Sequence, residues 1–348
     1  MSTNVKKKIL IISYGGTIVM VIDKDRKAVV PAQDVEEILQ LVPNLSNVAD
    51  VTLDVLSNVD STNVMPDDWT RIAYHIAEKR NEYDGFVITH GTNTMAYTAS
   101  ALTLALGKGL NKPVVLTGSQ LPLTVYGNDA RFNFENAVKT AVIAGEKNIN
   151  EVMIVFDDVV LRGGRAVKVS ESSFKAFSTP AYPAVADINS TGIHFNRFVR
   201  VYEPDAVFDL QPHFNNNVLT VDLVPGQPPA LIEEVMKTGK CKGLILKSHG
   251  AGSVPTLGEY SFLPLIKKAT EIYKIPVLIT TKFLGGNSMK EVNDEPAVQA
   301  IEAGAISTID MTDVMSQVKL MWLIGNGQSD LTTIDRMIKT NMIGEVTN

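Results

Sequence analysis

Short apolar runs alternate along the chain with longer stretches whose apolar positions recur every three to four residues. Residues 9–13 form the first apolar run, and residues 34–41 follow with helical spacing. Further apolar runs at 51–56, 85–89, 113–117 and 152–156 are separated by helix-like stretches at 67–79, 94–106 and 130–144. Runs of this length fit strands buried on both faces, and strands alternating with helices predict βαβ units. The expected architecture is therefore α/β: a larger N-terminal domain, residues 1–190, built on a mostly parallel sheet with helices on both faces.

Between 191 and 217 the periodicity dissolves into Asn, Pro, Phe and Arg and ends in Asn215-Asn216-Asn217, which reads as a linker. The βα rhythm resumes at 218–223, 230–237, 243–247, 263–272, 276–280 and 297–303, with a last helix at 331–339. A smaller α/β C-terminal domain, residues 218–348, is expected from it. A length of 348 residues agrees with two domains.

Charge narrows the partners. The balance of 32 Lys and Arg against 38 Asp and Glu gives a net charge of -6, with no basic stripe of the kind a phosphate backbone requires. No nucleic-acid partner is expected. Lys6, Lys7 and Lys8 before Ile9 to Ile12 resemble the start of a signal peptide, but Tyr14, Gly15 and Gly16 break the apolar run. With no window of about 18 apolar residues, neither export nor a membrane span is expected. The single cysteine, Cys241, can form neither an intramolecular disulfide nor a thiolate metal site, which fits a reducing, cytoplasmic location.

Cofactors are not expected either. His75, His90, His194, His213 and His249 are scattered without the spacing of a zinc site. Gly15-Gly16 follows the first strand as a dinucleotide-binding turn would, yet neither G-x-G-x-x-G nor a P-loop lysine is present.

Ligands of such sheets sit at the carboxyl ends of the strands. The segments there include Tyr14-Gly15-Gly16-Thr17, residues 58–65, His90-Gly91-Thr92-Asn93-Thr94, Gly118-Ser119-Gln120 and Arg162-Gly163-Gly164-Arg165. Thr17 and Thr92 each follow a glycine, which lets a hydroxyl approach a ligand closely; each is equally readable as a helix N-cap. A threonine nucleophile needs an assisting base or cation. Lys168, in the small apolar stretch Ala166-Val167-Lys168-Val169, could lose solvation, have its pKa lowered and act as that base. Its alternative is a surface lysine on an edge strand.

Together these segments resemble the bacterial-type L-asparaginase family, which includes the asparaginase-like subunit of archaeal tRNA-dependent amidotransferases. The matching pieces are Gly15-Gly16-Thr17-Ile18, Asp60-Ser61-Thr62, His90-Gly91-Thr92-Asn93-Thr94-Met95, Thr117-Gly118-Ser119-Gln120, and Lys168 followed by Phe177-Ser178-Thr179-Pro180. Thr179 stands where the family usually has serine. The likeness spans essentially the whole chain, including Lys247-Ser248-His249-Gly250-Ala251-Gly252. Asn128-Asp129-Ala130-Arg131 and the C-terminal sequence look more like the cytoplasmic type I branch than the exported type II branch.

The resemblance implies amide hydrolysis through a covalent acyl-enzyme. Thr17 would be the nucleophile and Thr92 the second threonine, assisted by Lys168. Gly16, Asp60, Ser61, Thr62, Gly91 and Ser119 would surround a small-molecule amide substrate, with Ser61 holding its carboxylate and backbone donors stabilising the oxyanion. It also implies a homodimer or homotetramer, with the segment around His249 lining a neighbour's pocket.

Four departures bear on specificity. Asn93 replaces the family aspartate of His-Gly-Thr-Asp-Thr, which binds the substrate α-ammonium and joins the threonine–lysine–carboxylate cluster. The mobile loop after Thr17 should carry an activating tyrosine, and residues 18–33 contain none. Tyr14 occupies the usual threonine position before Gly-Gly, where it either supplies the missing phenol or packs as a core residue; Thr62 stands where the exported branch has Gln. An asparaginase-type amidohydrolase is expected, its substrate asparagine or an amide, imide or lactam lacking a free α-ammonium. The alternatives are a non-catalytic binding or sensor protein on this fold, and an ammonia-supplying component of a tRNA amidotransferase. The latter normally carries an extra domain before Gly-Gly-Thr, where this sequence has 14 residues.

Overall fold

A computed structural model describes residues 6–23, 25–31, 42, 45–201, 203–288 and 292–347. The helix expected at 34–41 lies outside the described residues. The chain divides into two compact units, Met1–Thr179 with Pro183–Pro212, and Pro180–Tyr182 with His213–Asn348.

In the first unit, β1 (Lys8–Gly15) is followed by a hairpin of β2 (Met20–Asp23) and β3 (Ala28–Pro31), then by β4 (Asp50–Val59), β5 (Gly85–Thr89), β6 (Val114–Thr117) and β7 (Val152–Phe156). Beyond them lie β8 (Val159–Arg162), the two-residue strands β9 (Val167–Lys168) and β10 (Phe177–Ser178), β11 (Ala186–Asn189) and β12 (Gly192–Phe195). One eight-stranded sheet runs β12-β11-β8-β7-β6-β5-β1-β4. It is parallel from β4 to β7 and antiparallel from β7 to β12, so the mostly parallel sheet is realised with an antiparallel end.

The period-2 alternation of strands explains both faces. Ile9, Ile11, Val87, Val115, Met153 and Val155 pack with Phe134, Ala137, Val138 and Ala141 of the helix Ala130–Glu146. The alternate set, Leu10, Ile12, Phe86, Ile88, Leu116 and Ile154, is equally buried. Strands apolar at every position are what a sheet covered on both sides demands. The helix Met95–Leu106 buries all but one of its residues, which matches its nearly uniform apolar sequence. The helix Pro66–Lys79 is amphipathic instead: Trp69, Ile72, Ala73, Ile76 and Ala77 face inward, with Pro66, Asp67 and Asp68 at its start, where the helix dipole favours acids.

The antiparallel end is not legible in the sequence as a separate feature. β7 and β8 are joined through Asp157 and Asp158, with Asp157 at φ 53, a left-handed conformation that aspartate tolerates better than most residues. Residues Gly192–Phe195, inside the segment expected as a linker, pair as an edge strand with β11.

The second unit carries a four-stranded parallel sheet, β13 (Val218–Asp222), β14 (Gly243–Ser248), β15 (Val277–Thr281) and β16 (Ile306–Ser307), in that order. Leu244, Leu246, Val277, Ile279, Ile232, Ile266 and Ala300 form its core with the flanking helices. The helix Asp313–Gly325 has no clear period in the sequence, because nine of its 13 residues are buried and leave no polar face to set one.

Candidate active site

The chain leaves β1 for β4 on one side and returns to β5 on the other, so the topological switch point lies between β1 and β5. Thr17 follows the first of these strands and Thr92 the second. Gly15 (φ 87) and Gly16 (φ 88) make the turn after β1 in a conformation that strains any side-chain-bearing residue. A Cβ on Gly16 would lie 2.4 Å from His90 C and Gly91 N. The turn that delivers Thr17 therefore rests directly on the His90–Gly91 peptide.

Two further close approaches converge there. A Cβ on Gly118, after β6, would lie 2.3 Å from His90 O, and one on Gly91 would lie 2.5 Å from Ser61 Oγ. The segments after β1, β5 and β6 thus meet through main chain and Gly91 meets Ser61 of the segment after β4, which explains the glycines at Gly16, Gly91 and Gly118.

Neither threonine is a helix N-cap. Thr17 is the first residue of a 3-10 turn capped by Gly16, and Thr94 precedes the helix Met95–Leu106, its hydroxyl donating to Ser61 O at 2.6 Å. Thr92 is buried, and Lys168 Nζ donates to its Oγ1 at 2.9 Å. Lys168 is positioned by the β9–β10 pair, in register with Phe177, and is half-buried rather than free on a surface edge. Burial lowers its ammonium pKa, against the opposing charges of Glu171 and Asp60.

The same ammonium donates to Asn93 Oδ1 at 2.9 Å. Because an ammonium offers only donors, the oxygen of Asn93 must face Lys168. Its Nδ2 then points to Thr62 Oγ1, at a long 3.4 Å. Asn93, Thr62 and Asp60 are exposed, and Asp60 accepts from Thr62 N at 2.8 Å, capping the turn Ser61–Asn63. Ser61 is 1% exposed, and its Oγ finds no acceptor or donor among the described residues.

Ser119 and Tyr14 are placed differently. The Ser119 hydroxyl donates to Leu121 O at 2.6 Å and closes its own loop, whose Gln120 and Leu121 N–H groups donate to Asp129. Tyr14 is 1% exposed; its hydroxyl donates to Asp68 Oδ1 at 2.6 Å, while the Arg71 guanidinium carbon lies 5.6 Å from the ring centroid. Burial, then the Asp68 hydrogen bond and charge, raise the phenol pKa far above its ordinary value.

In the sequence His90 opens the His90-Gly91-Thr92-Asn93-Thr94 segment and lacks metal-site spacing, but carries no signal of its burial; it is the fully buried centre of this region. Its Nδ1 lies 2.8 Å from Gly91 O and its Nε2 2.9 Å from Thr98 Oγ1. Burial lowers its pKa to about 4, so the ring is neutral at pH 7. A carbonyl only accepts, so Nδ1 carries the hydrogen and Nε2 accepts from Thr98. Asp68 stands in the first turn of the helix Pro66–Lys79 and accepts from Met65 N at 2.7 Å; its link to Tyr14 has no sequence signal. Among the described residues no three His, Cys, Asp or Glu side chains gather as a metal site would need, and no helix is long and apolar enough to cross a membrane.

Fold and site define a two-unit α/β protein with a threonine following each of the two strands, β1 and β5, that flank the switch point of its larger sheet. The chain belongs to the asparaginase family, matching the asparaginase N-terminal domain over residues 8–200 and the glutaminase/asparaginase C-terminal domain over 217–338. It is 33% identical to the L-asparaginase of Thermococcus kodakarensis over 98% of this chain and 99% of that protein; the solved structure of the thermostable L-asparaginase from that organism superposes with a TM-score of 0.87 over 98% and 99% of the two chains. L-asparaginase 1 of Escherichia coli K12 is 32% identical over 98% of both chains. The structure of L-asparaginase I from Vibrio cholerae gives a TM-score of 0.87 at 31% identity, covering 99% of this chain and all of that one. A glutamyl-tRNA(Gln) amidotransferase component from Saccharolobus solfataricus is 33% identical over 98% of this chain and 76% of its own length.

Proposed function

We propose that this protein hydrolyses a carboxamide through a threonine acyl-enzyme, with Thr17 as nucleophile and Thr92 and Lys168 as its proton-handling partners. The observation that carries the reading is the 2.9 Å contact between Lys168 Nζ and the buried Thr92 hydroxyl, at the strand end beside the Gly16–Thr17 turn. In the reaction, Thr17 Oγ bonds to the amide carbon and its proton passes to the Thr92–Lys168 pair. The C–N bond then breaks, the pair returns a proton to the leaving nitrogen, and water later cleaves the ester to free the acid and Thr17. The unpartnered Ser61 Oγ, buried beside Gly91, suits a substrate carboxylate.

The finer reading concerns specificity. Asn93 presents an N–H donor on the side away from Lys168, which suits an acceptor or neutral group better than an ammonium. The substrate is accordingly an amide, imide or lactam without a free α-ammonium, with asparagine itself a poor one. The neutral Asn93 also favours a second reading, a binding or sensor protein, which predicts no turnover of any amide. Ammonia release across asparagine, glutamine and their N-blocked forms, with ring opening followed for cyclic imides and lactams, separates the two. Thr17→Ala abolishes all turnover if the assignment holds; near wild-type turnover, or an adduct trapped on Thr92 alone, refutes it. The location is taken as cytoplasmic and the assembly as a homodimer or homotetramer, which sedimentation at micromolar concentration tests.

A further inference from the structure

The Tyr14 cluster sits directly behind the peptide that carries Thr92. Tyr14 stacks against His90 with ring centroids 6.4 Å apart and an interplanar angle of 14°. Its hydroxyl is tied to Asp68, and Asp68 is itself held by Met65 N at the start of the helix Pro66–Lys79. Arg71, one turn on in the same helix, closes over the Tyr14 ring. On the other side of His90, Thr98 belongs to the helix Met95–Leu106 and bonds Nε2. The imidazole is therefore held between the Tyr14 ring and Thr98 while its Nδ1–H holds Gly91 O, one residue before Thr92. Gly16 and Gly118 press on the preceding peptide, His90–Gly91, with no room for a Cβ.

We infer that Tyr14, fastened by Asp68 and Arg71, is a positioning residue: it holds His90 in one orientation and so fixes the main chain from His90 to Thr92, whose His90–Gly91 peptide carries the Thr17 turn. The hydroxyl of Tyr14 is fully used by Asp68, and a phenol so disfavoured as phenolate is badly suited to shuttle protons. This assigns Tyr14 a role other than that of the missing loop phenol. The kinetic arm of the proposal rests on the threonine-amidohydrolase reading; the spectroscopic arm does not.

The test uses the full-length protein labelled with 15N-histidine, the His90 signals being assigned by their loss in His90→Gln. Tyr14→Phe keeps the ring and removes only the hydroxyl, and is expected to retain the Nδ1–H tautomer with kcat within about tenfold of wild type, whereas removing an acid–base group costs about 10²–10⁴-fold. Tyr14→Leu removes the ring and is expected to mix the His90 tautomers and lower kcat about a hundredfold with little change in KM, the scale of a misplacement near 1 Å. Loss of turnover in Tyr14→Phe as complete as in Thr17→Ala, with His90 still an Nδ1–H tautomer, would make Tyr14 a proton carrier and overturn the proposal. So would a Tyr14→Leu protein with wild-type kcat and an unchanged His90 signal. If the leucine variant does not fold, the double variant Asp68→Ala with Arg71→Ala, which releases both fastenings of the ring while Tyr14→Phe keeps that of Arg71, decides: an unaltered His90 signal and kcat in it overturn the proposal, and a disturbed pair supports it. An active Thr17→Ala protein would end the threonine reading while leaving the His90 spectra as a valid test of positioning.

Discussion

Lys168 and Asn93 are joined by a 2.9 Å hydrogen bond in which the ammonium donates and the amide oxygen accepts. The lysine is thus solvated by a neutral group where a carboxylate would give it a full countercharge. An ammonium held by a neutral amide and half withdrawn from water gives up its proton more readily, burial outweighing the opposing charges of Glu171 and Asp60, which suits a base.

The first prediction follows from that balance. Burial lowers the Lys168 pKa, and only the free amine accepts a proton, so kcat/KM on a neutral amide rises with pH through the lowered pKa and levels off above it. Asn93→Asp places a negative charge beside Nζ and shifts this limb to higher pH by about 1–3 units. Lys168→Met removes the limb and lowers kcat by about 10²–10⁴-fold. A pH–rate profile of the three proteins checks this; a limb that stays put in Asn93→Asp excludes Lys168 as its source.

Asn93 also decides specificity. A charge-assisted contact contributes about 1.5–3 kcal/mol, so Asn93→Asp is expected to improve kcat/KM on free asparagine by about tenfold to a hundredfold. On N-blocked or cyclic amides the same variant should lose activity at neutral pH, because its carboxylate meets no cation of the substrate and instead holds Lys168 in its protonated form. Parallel steady-state kinetics on both substrate sets give the comparison, and efficient wild-type turnover of asparagine would contradict it.

His90 predicts an acid dependence of stability. Its folded pKa of about 4 lies below the ordinary 6.5, so between these values the unfolded chain binds the extra proton. Its contribution is full above about pH 6.5 and is lost as pH falls toward 4, on the order of 3 kcal/mol in all. Urea midpoints between pH 7 and 4 should fall less steeply in His90→Gln than in wild type.

The second unit holds a buried pair whose contribution is also lost on acidification, but through a carboxylate. Lys319 and Glu345 are both fully buried and 2.6 Å apart; Lys319 also donates to Ile338 O and Thr340 O, and Glu345 accepts from Met342 N and Ile343 N. Burial alone would raise the carboxyl pKa, but the charge and hydrogen bond of Lys319 leave it net lowered. Its stabilisation is therefore present above the unfolded value and lost as pH falls through the folded one. Lys319→Met strands the carboxylate and should destabilise by about 3–5 kcal/mol, whereas the double variant Lys319→Met with Glu345→Leu recovers most of that loss. Denaturation midpoints of the single and double variants give the answer.

What the sequence by itself determined were the features encoded by local periodicity and local backbone demands. Apolar runs such as Ile9 to Ile12 could only be strands covered on both faces, and the spacing of Trp69, Ile72, Ala73 and Ile76 could only present one helical stripe. Gly15-Gly16 announced a turn that side chains cannot enter. The short hairpin at Asp157 and the helix Asp313–Gly325 carry no such period, the first being too brief and the second buried nearly all round.

Long-range pairings were decided only by the tertiary structure. Lys168 and Thr92 are 76 residues apart, Tyr14 and Asp68 are 54 apart, and no local pattern encodes either contact. The orientation of the Asn93 amide and the tautomer of His90 are further removed still, because each depends on whether the neighbour brought there by the fold can only donate or only accept. Such choices exist only once the strands β1, β5 and β6 have placed their loops against one another and water has been excluded between them.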